Sequence, residues 1–206
     1  MKASDFRTLT SGRLVPTVEG QLAYVPAPLP PDIAYDTELI LRLSKADVAL
    51  SELAGVGRYL PNPHLLISPY IRREAILSTR IEGTQATFSE VLRDEVIETP
   101  KRGSTDLREV NNYVASLEYG VARLDQLPIS LRLVCELHER LLAGVRGEAT
   151  RPGEFRQIQN FIGLDHSRIA DAMFVPPPPA EMMDALYDWE RFVHMRDALP
   201  DLIQCA

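Results

Sequence analysis

Glu82 is the residue whose type and position in this chain most demand a chemical reason. It lies one residue before Gly83, where a helical pattern should stop, so its carboxylate falls in a last helical turn. The negative end of the helix dipole disfavours a carboxylate there by roughly 0.3–1 kcal/mol. Helical spacing also aligns Ile71, Ala75, Ser78 and Glu82 on one stripe. A carboxylate on a packing stripe calls for a cationic partner. Taken alone, however, Glu82 reads more simply as a solvated helical glutamate, and both readings stay open at this point. Other chemistries find no footing. No Walker-type phosphate loop or dinucleotide-binding glycine run occurs. His64, His138, His166 and His194 have no metal-ligand spacing with one another or with Cys135 and Cys205. They read as surface or partly buried residues. No metal site and no self-contained catalytic residue is expected.

The elements that must position Glu82 are helical. A first helix should open at Asp36 as N-cap, place Leu39, Leu43, Ala46, Leu50 and Leu53 on one stripe, and end at Gly55 and Gly57. A second should begin with Pro69 at its first position and stop at Gly83. Thr87-Phe88-Ser89-Glu90 has capping-box spacing and opens a third helix, to about Val96. Leu107, Val110, Val114, Leu117, Val121 and Leu124 then recur at intervals of three and four, the strongest helical signal in the chain. Ser130 caps a further helix that carries Leu131, Val134, Leu137 and Leu141 and stops at Gly144.

Both ends of the chain break this rhythm. Residues 1–31 read as an irregular arm punctuated by Gly12, Pro16, Gly20 and four later prolines, with a short strand allowed over Gln21–Val25. From Arg151 to Val175 the helical period vanishes, and Phe161-Ile162 and Met173-Phe174-Val175 flank a polar stretch with Asp165 and His166. Two short strands joined as a hairpin over about 157–175 are expected. After Pro176–Pro179 comes a helix with Met183, Leu186, Trp189 and Val193, and Pro200 starts another that still reads as helical at Ala206. That last pattern looks cut rather than finished, so a longer natural protein is expected.

Composition narrows the partners. The formal net charge is −7 with no long basic run, so phosphate-backbone attraction is weak and nucleic acid is not an expected partner of this segment. Two distant cysteines argue against a disulfide scaffold. No stretch approaches the ~18 apolar residues of a membrane span, and the first residues lack a signal peptide's apolar stretch. No membrane partner and a cytoplasmic location are expected.

Ser78-Thr79-Arg80-Ile81-Glu82-Gly83 resembles the inhibitory motif of Fic family proteins, (Ser/Thr)-x-x-x-Glu-(Gly/Asn). Other segments resemble the family in the same order. Arg108-Glu109-Val110-Asn111-Asn112-Tyr113 is similar to the helix that follows the inhibitory segment. Leu137-His138-Glu139-Arg140-Leu141-Leu142, Gly147, Arg151-Pro152-Gly153-Glu154-Phe155-Arg156 and Gln159-Asn160-Phe161-Ile162-Gly163 are similar to the opening of the Fic core. Phe174-Val175-Pro176-Pro177-Pro178-Pro179 and Pro200-Asp201-Leu202-Ile203 complete a likeness that covers about residues 30–206.

The resemblance implies a mainly α fold: a Fic-type helical bundle with one β-hairpin flap, truncated before the catalytic loop. Residues 1–126 would form an N-terminal helical region with the inhibitory helix at about 70–83. Residues 127–206 would form the first part of the Fic core, with the flap at about 157–175. The implied activity is transfer of AMP from ATP to Ser, Thr or Tyr hydroxyls of proteins, with ATP and Mg2+ required by the complete enzyme. The family's His-Pro-Phe motif, which carries the base, is not in this sequence. The chain alone is therefore expected to be inactive and to need no cofactor. Glu82 would pair with an arginine of that motif that otherwise holds the ATP γ-phosphate, with Ser78 beside it on the same face and Gly83 releasing the chain from the helix. Phe161, Ile162, Gly163, Met173, Phe174 and Val175 would form a flap that holds a target peptide as an added strand. A cluster of Arg151, Glu154 and Arg156 would brace the flap base. The implied partner is a protein substrate, and a homodimer is compatible with the family. The alternative is a non-catalytic helical regulator that acts in trans on a Fic enzyme, or a frameshifted relic.

Overall fold

The computed structural model describes residues 11–62, 64–81, 83–96, 105–145, 151–164, 167–195 and 199–205. Glu82, Gly147, Asp165 and His166 lie outside the described residues. The chain is mainly helical with a small antiparallel hairpin, and it divides into two compact units. One is Thr37–Glu154; the other joins the chain up to Asp36 with the chain from Phe155 onward. The units follow contacts and so differ from the division at residue 126 that the family layout suggested.

In the Thr37–Glu154 unit five helices follow one another: α1 (Thr37–Gly57), α2 (His64–Ile81), α3 (Phe88–Val96), α4 (Thr105–Arg123) and α5 (Leu131–Leu141). Their core gathers Ala75 and Ile76 of α2, Ala86, Val91 of α3, and Val110 and Val114 of α4, with Ile71, Leu107 and Tyr113 packed against it. The capping box before α3 is formed as read. Thr87 donates its backbone N–H to Glu90 Oε2 at 2.8 Å, and the Glu90 N–H points back to Thr87 Oγ1 at 3.4 Å. Ser130 likewise caps α5 by accepting from the Leu133 N–H at 3.3 Å.

Two expectations for this unit are corrected. Pro69 does not open α2 but lies inside it, five residues after His64. A proline there forfeits only one ladder bond just beyond the first turn, whose N–H groups lack partners in any case. The second correction concerns α4. Beyond Val114 the buried positions are Ser116 and Gly120, whereas Leu117 and Val121 are exposed. Helix α5 approaches α4 where side chains are small: a Cβ on Gly120 would stand 3.1 Å from a Leu137 methyl. Close approach of two helices selects small residues, and the larger ones are left at the rim.

In the other unit the N-terminal arm, described from Ser11 onward, contains paired strands. β1 (Gly12–Pro16) and β2 (Leu22–Pro26) form an antiparallel hairpin that pairs Gly12 with Pro26 and Leu14 with Tyr24. Its turn closes by Thr17 N–H to Gln21 O at 2.7 Å and needs Gly20 at φ +79°. Val15, Ala23 and Val25 are buried with Ala172 and Val175. The Tyr24 N–H donates to Val175 O at 2.9 Å, which fixes Val175 beside β2. α6 (Pro179–Val193) packs against β2, and a short α7 (Asp201–Gln204) follows.

The two-stranded hairpin expected over 157–175 is reduced to one bridge, between Ile162 and Phe174. Its bonds run from Ile162 N–H to Phe174 O at 2.8 Å and from Met173 N–H to Ile162 O at 2.8 Å. Extension is cut short on both sides. A 3-10 turn at Ile169–Asp171 bends the chain out of strand geometry. Towards the other end, Pro176–Pro179 have no N–H to donate, and Gln159 and Arg156 donate instead to the carbonyls of Pro176 and Pro177.

Candidate functional site: a cavity at the end of α2

Helix α2 ends in a Schellman motif. The Gly83 N–H donates to Arg80 O at 3.0 Å and the Thr84 N–H to Thr79 O at 3.2 Å, with Gly83 at φ +91°. That left-handed φ is why a glycine stands here. The following segment is tied to α4: Thr84 Oγ1 donates to Glu109 Oε2 at 2.5 Å, and the Gln85 N–H to Asp106 Oδ2 at 2.8 Å. Both carboxylates lie in the first turns of α4, where the helix dipole favours negative charge.

Around this helix end lies a cavity of about 510 Å3, within the range of small-molecule sites. Ser78, Thr79, Thr84, Glu109, Tyr113 and His138 supply its polar lining, and Leu141, Leu142 and Val145 its apolar wall. Ser78 does face the cavity, and its hydroxyl donates to Glu74 Oε1 at 2.8 Å. Gly83 serves the helix stop. Glu82, between Ile81 and Gly83, is outside the described residues, so Ser78 and Gly83 carry the geometry of the motif here.

His138 went unread from spacing alone, and the fold gives it a place. Its Nδ1 accepts the Gly153 N–H at 3.0 Å. That bond assigns the ring proton of the neutral imidazole to Nε2, a donor. Gly153 comes this near because it has φ +84° and no Cβ; an added one would sit 3.3 Å from Glu139 Cβ and 3.4 Å from Cys135 O. Burial pushes the Cys135 thiol up.

The polar residues of the 108–113 segment hold this architecture in place. Arg108 donates to Gly144 O at 2.8 Å, and Asn112 donates to Leu141 O and Ala143 O at 3.0 and 2.9 Å, covering carbonyls at the end of α5. Asn111 donates to Asp94 Oδ2 of α3 at 2.9 Å. Behind them, Glu136 accepts from Arg123 at 3.1 Å, Tyr119 at 2.7 Å and Arg132 at 2.9 Å. These donors, Arg123 first, hold its carboxyl down at about 2.

The expected flap residues fall into two sets. Ile162 and Met173 are exposed, at 61% and 72%. Val175 is buried, Phe161 packs on the same cluster, and Phe174 faces the Tyr24 ring at 6.2 Å. Gly163 lies under the Phe161 ring and Ser167 Oγ. Of the expected charge cluster, Arg151 and Glu154 pair at 3.7 Å with both side chains exposed, a geometry worth little. Arg156 donates to backbone carbonyls at Ile158 and Pro177.

Among the described residues no three His, Cys, Asp or Glu side chains come together to hold a metal ion, and no helix is long and apolar enough to cross a membrane. Compared with known families, residues 40–122 match the model described as Fic/DOC family N-terminal. The matched stretch runs from α1 through α4. It contains the end of α2 and five of the cavity's lining residues, Ser78, Thr79, Thr84, Glu109 and Tyr113, so this stretch of the chain is similar to the N-terminal region of Fic/DOC family proteins.

Proposed function

We propose that this segment is the regulatory front part of a protein adenylyltransferase, in which the end of α2 acts as a brake on nucleotide binding. The observation that carries the reading is the placement of Ser78 on a cavity about one turn before a glycine-closed helix end. In the reaction a target hydroxyl attacks the α-phosphate of ATP, an oxygen–phosphorus bond forms, and pyrophosphate leaves. Such transfer depends on positioning and on stabilising phosphate charge. An arginine that grips the γ-phosphate cannot hold a carboxylate in the same bidentate geometry. Glu82 is the carboxylate that competes for it. Ser78, held by Glu74, contributes a weaker contact on the same face. Ile162 and Met173 are among the exposed side chains that the 157–175 segment offers to a protein substrate.

The test uses a protein in which this segment is joined to the His-Pro-Phe motif. Self-modification with labelled ATP is compared for the parent, Glu82→Gly, Glu82→Gln and Ser78→Ala. Removing one member of a buried ion pair changes energies by about 3–5 kcal/mol, and each 1.4 kcal/mol is about tenfold. Glu82→Gly should therefore raise transfer more than tenfold, Glu82→Gln should follow it, and Ser78→Ala should gain less. Equal activity in all four proteins would return Glu82 to the status of a solvated surface residue.

A further inference from the structure

Helix α2 has a second exposed face, away from the Ser78 cavity. Tyr70, Arg73, Leu77 and Arg80 repeat at intervals of three, four and three, which places them on one stripe. Together with Ile76 as part of the lining and Phe88 of α3 they line a groove of about 400 Å3. Three apolar side chains that line this groove are open to solvent: Tyr70 is 71% exposed, Leu77 46% and Phe88 40%. Among the described residues the side chains of Arg73 and Arg80 have neither a hydrogen-bond nor an ion-pair partner. The described residues of the groove thus carry only positive charge, on a chain whose formal net charge is −7.

We propose that this groove between α2 and α3 is a docking site for an acidic amphipathic helix of a partner protein. An apolar floor of Tyr, Leu and Phe edged by arginine has the composition of an interface hot spot. The stripe from Tyr70 to Arg80 is about 15 Å long, three turns of a facing helix. Arg73 and Arg80 stand about 10 Å apart along the axis, which matches carboxylates seven residues apart on that helix. The apolar floor takes the helix's i, i+3/i+4 and i+7 side chains. Two arginines are too few to hold a nucleic-acid backbone, and a free anion would leave the apolar floor uncovered. The charge pattern also disfavours a basic helix by like-charge repulsion. This inference is independent of what the Ser78 cavity binds.

Two fluorescein-labelled stapled peptide helices of three turns test it. Both carry Leu and Phe at the i, i+3 and i+7 positions; one has glutamates beside that stripe and the other lysines. Fluorescence anisotropy against the 206-residue chain should show the glutamate peptide binding at least tenfold more tightly. Arg73→Glu/Arg80→Glu should reverse the preference, and Leu77→Asp should remove binding of both peptides. All substituted side chains are exposed, so circular dichroism and thermal melting should match the parent. Equal binding of the two peptides, no binding of either, or a glutamate preference that survives charge reversal overturns the proposal. So does concentration-dependent dimerisation of the parent that Leu77→Asp abolishes, since that result assigns the groove to a second copy of this chain.

Discussion

Helices α1 and α4 are of similar length, 21 and 19 residues, yet their fates differ. α1 holds Leu39, Ile40, Leu41, Leu43, Val48, Leu50, Leu53 and Val56 and buries no residue. α4 is flanked by fewer large aliphatic side chains and buries Val110, Val114, Ser116 and Gly120. Apolar content does not separate them. What separates them is the means of contact. α4 offers two small residues where α5 can come close, and a row of polar side chains that reach specific carbonyls and carboxylates on α3 and α5. α1 has its own i, i+4 pair, Glu38 with Arg42 at 2.7 Å, which is exposed and ties it to nothing else. Burial follows from shape and from anchoring bonds as much as from hydrophobicity.

The largest expected effect breaks the comparison at its strongest point. Val110 is fully buried and Leu50 is half exposed. Val110→Asp leaves a buried charge without a partner, which costs about 3–5 kcal/mol, while Leu50→Asp in α1 should stay within about 0.5 kcal/mol. Urea unfolding of both variants measures the contrast. Similar losses would mean that α1 is packed in solution after all.

A smaller effect tests the role of close approach. Gly120→Val places branched methyl groups against Leu137 and should cost about 1–3 kcal/mol through overpacking. If melting shows no loss, α4 and α5 are not held together at this point, and small residues do not explain the buried line of α4.

The smallest effect concerns charge on the far side of α4. The Glu136 carboxyl is held at about 2, below its usual 4.5, mainly by Arg123 and then Tyr119. A depressed carboxyl pKa stabilises the folded state fully above about pH 4.5, and this contribution is lost as pH falls from there towards 2. Glu136→Gln removes the titration. Its melting temperature should therefore drop less steeply than the parent's between pH 5 and pH 2. Parallel curves would show that the Arg123–Glu136–Tyr119 contacts do not persist in solution.

Much of the helical framework was legible because its signals are local. A capping box needs only Thr87 and Glu90, an N-cap only Ser130, and a helix stop only a glycine at positive φ such as Gly83 or Gly144. The Pro69 error has the same origin. A proline marks where a helix is best begun, but three further residues of context cannot say whether the chain is already helical. The hairpin of β1 and β2 was hidden because Pro16 and Gly20 read as breaks, when they are the edge and the turn of one paired element.

By itself the sequence determined the helix sequence from α1 to α6, the stop at Gly83, and the spacing that sets Ser78 a turn before it. These depend on backbone preferences and on contacts within three or four residues. Tertiary structure decided which apolar residues are core and which are surface. It turned the 157–175 segment into a single bridge by giving Val175 to β2, and it brought His138 and Glu109 to the cavity beside Ser78. Such pairings join positions tens of residues apart, and no local pattern encodes them. They arise only when α4 and α5 pack closely enough for Asn112, Arg108 and Gly153 to reach their partners.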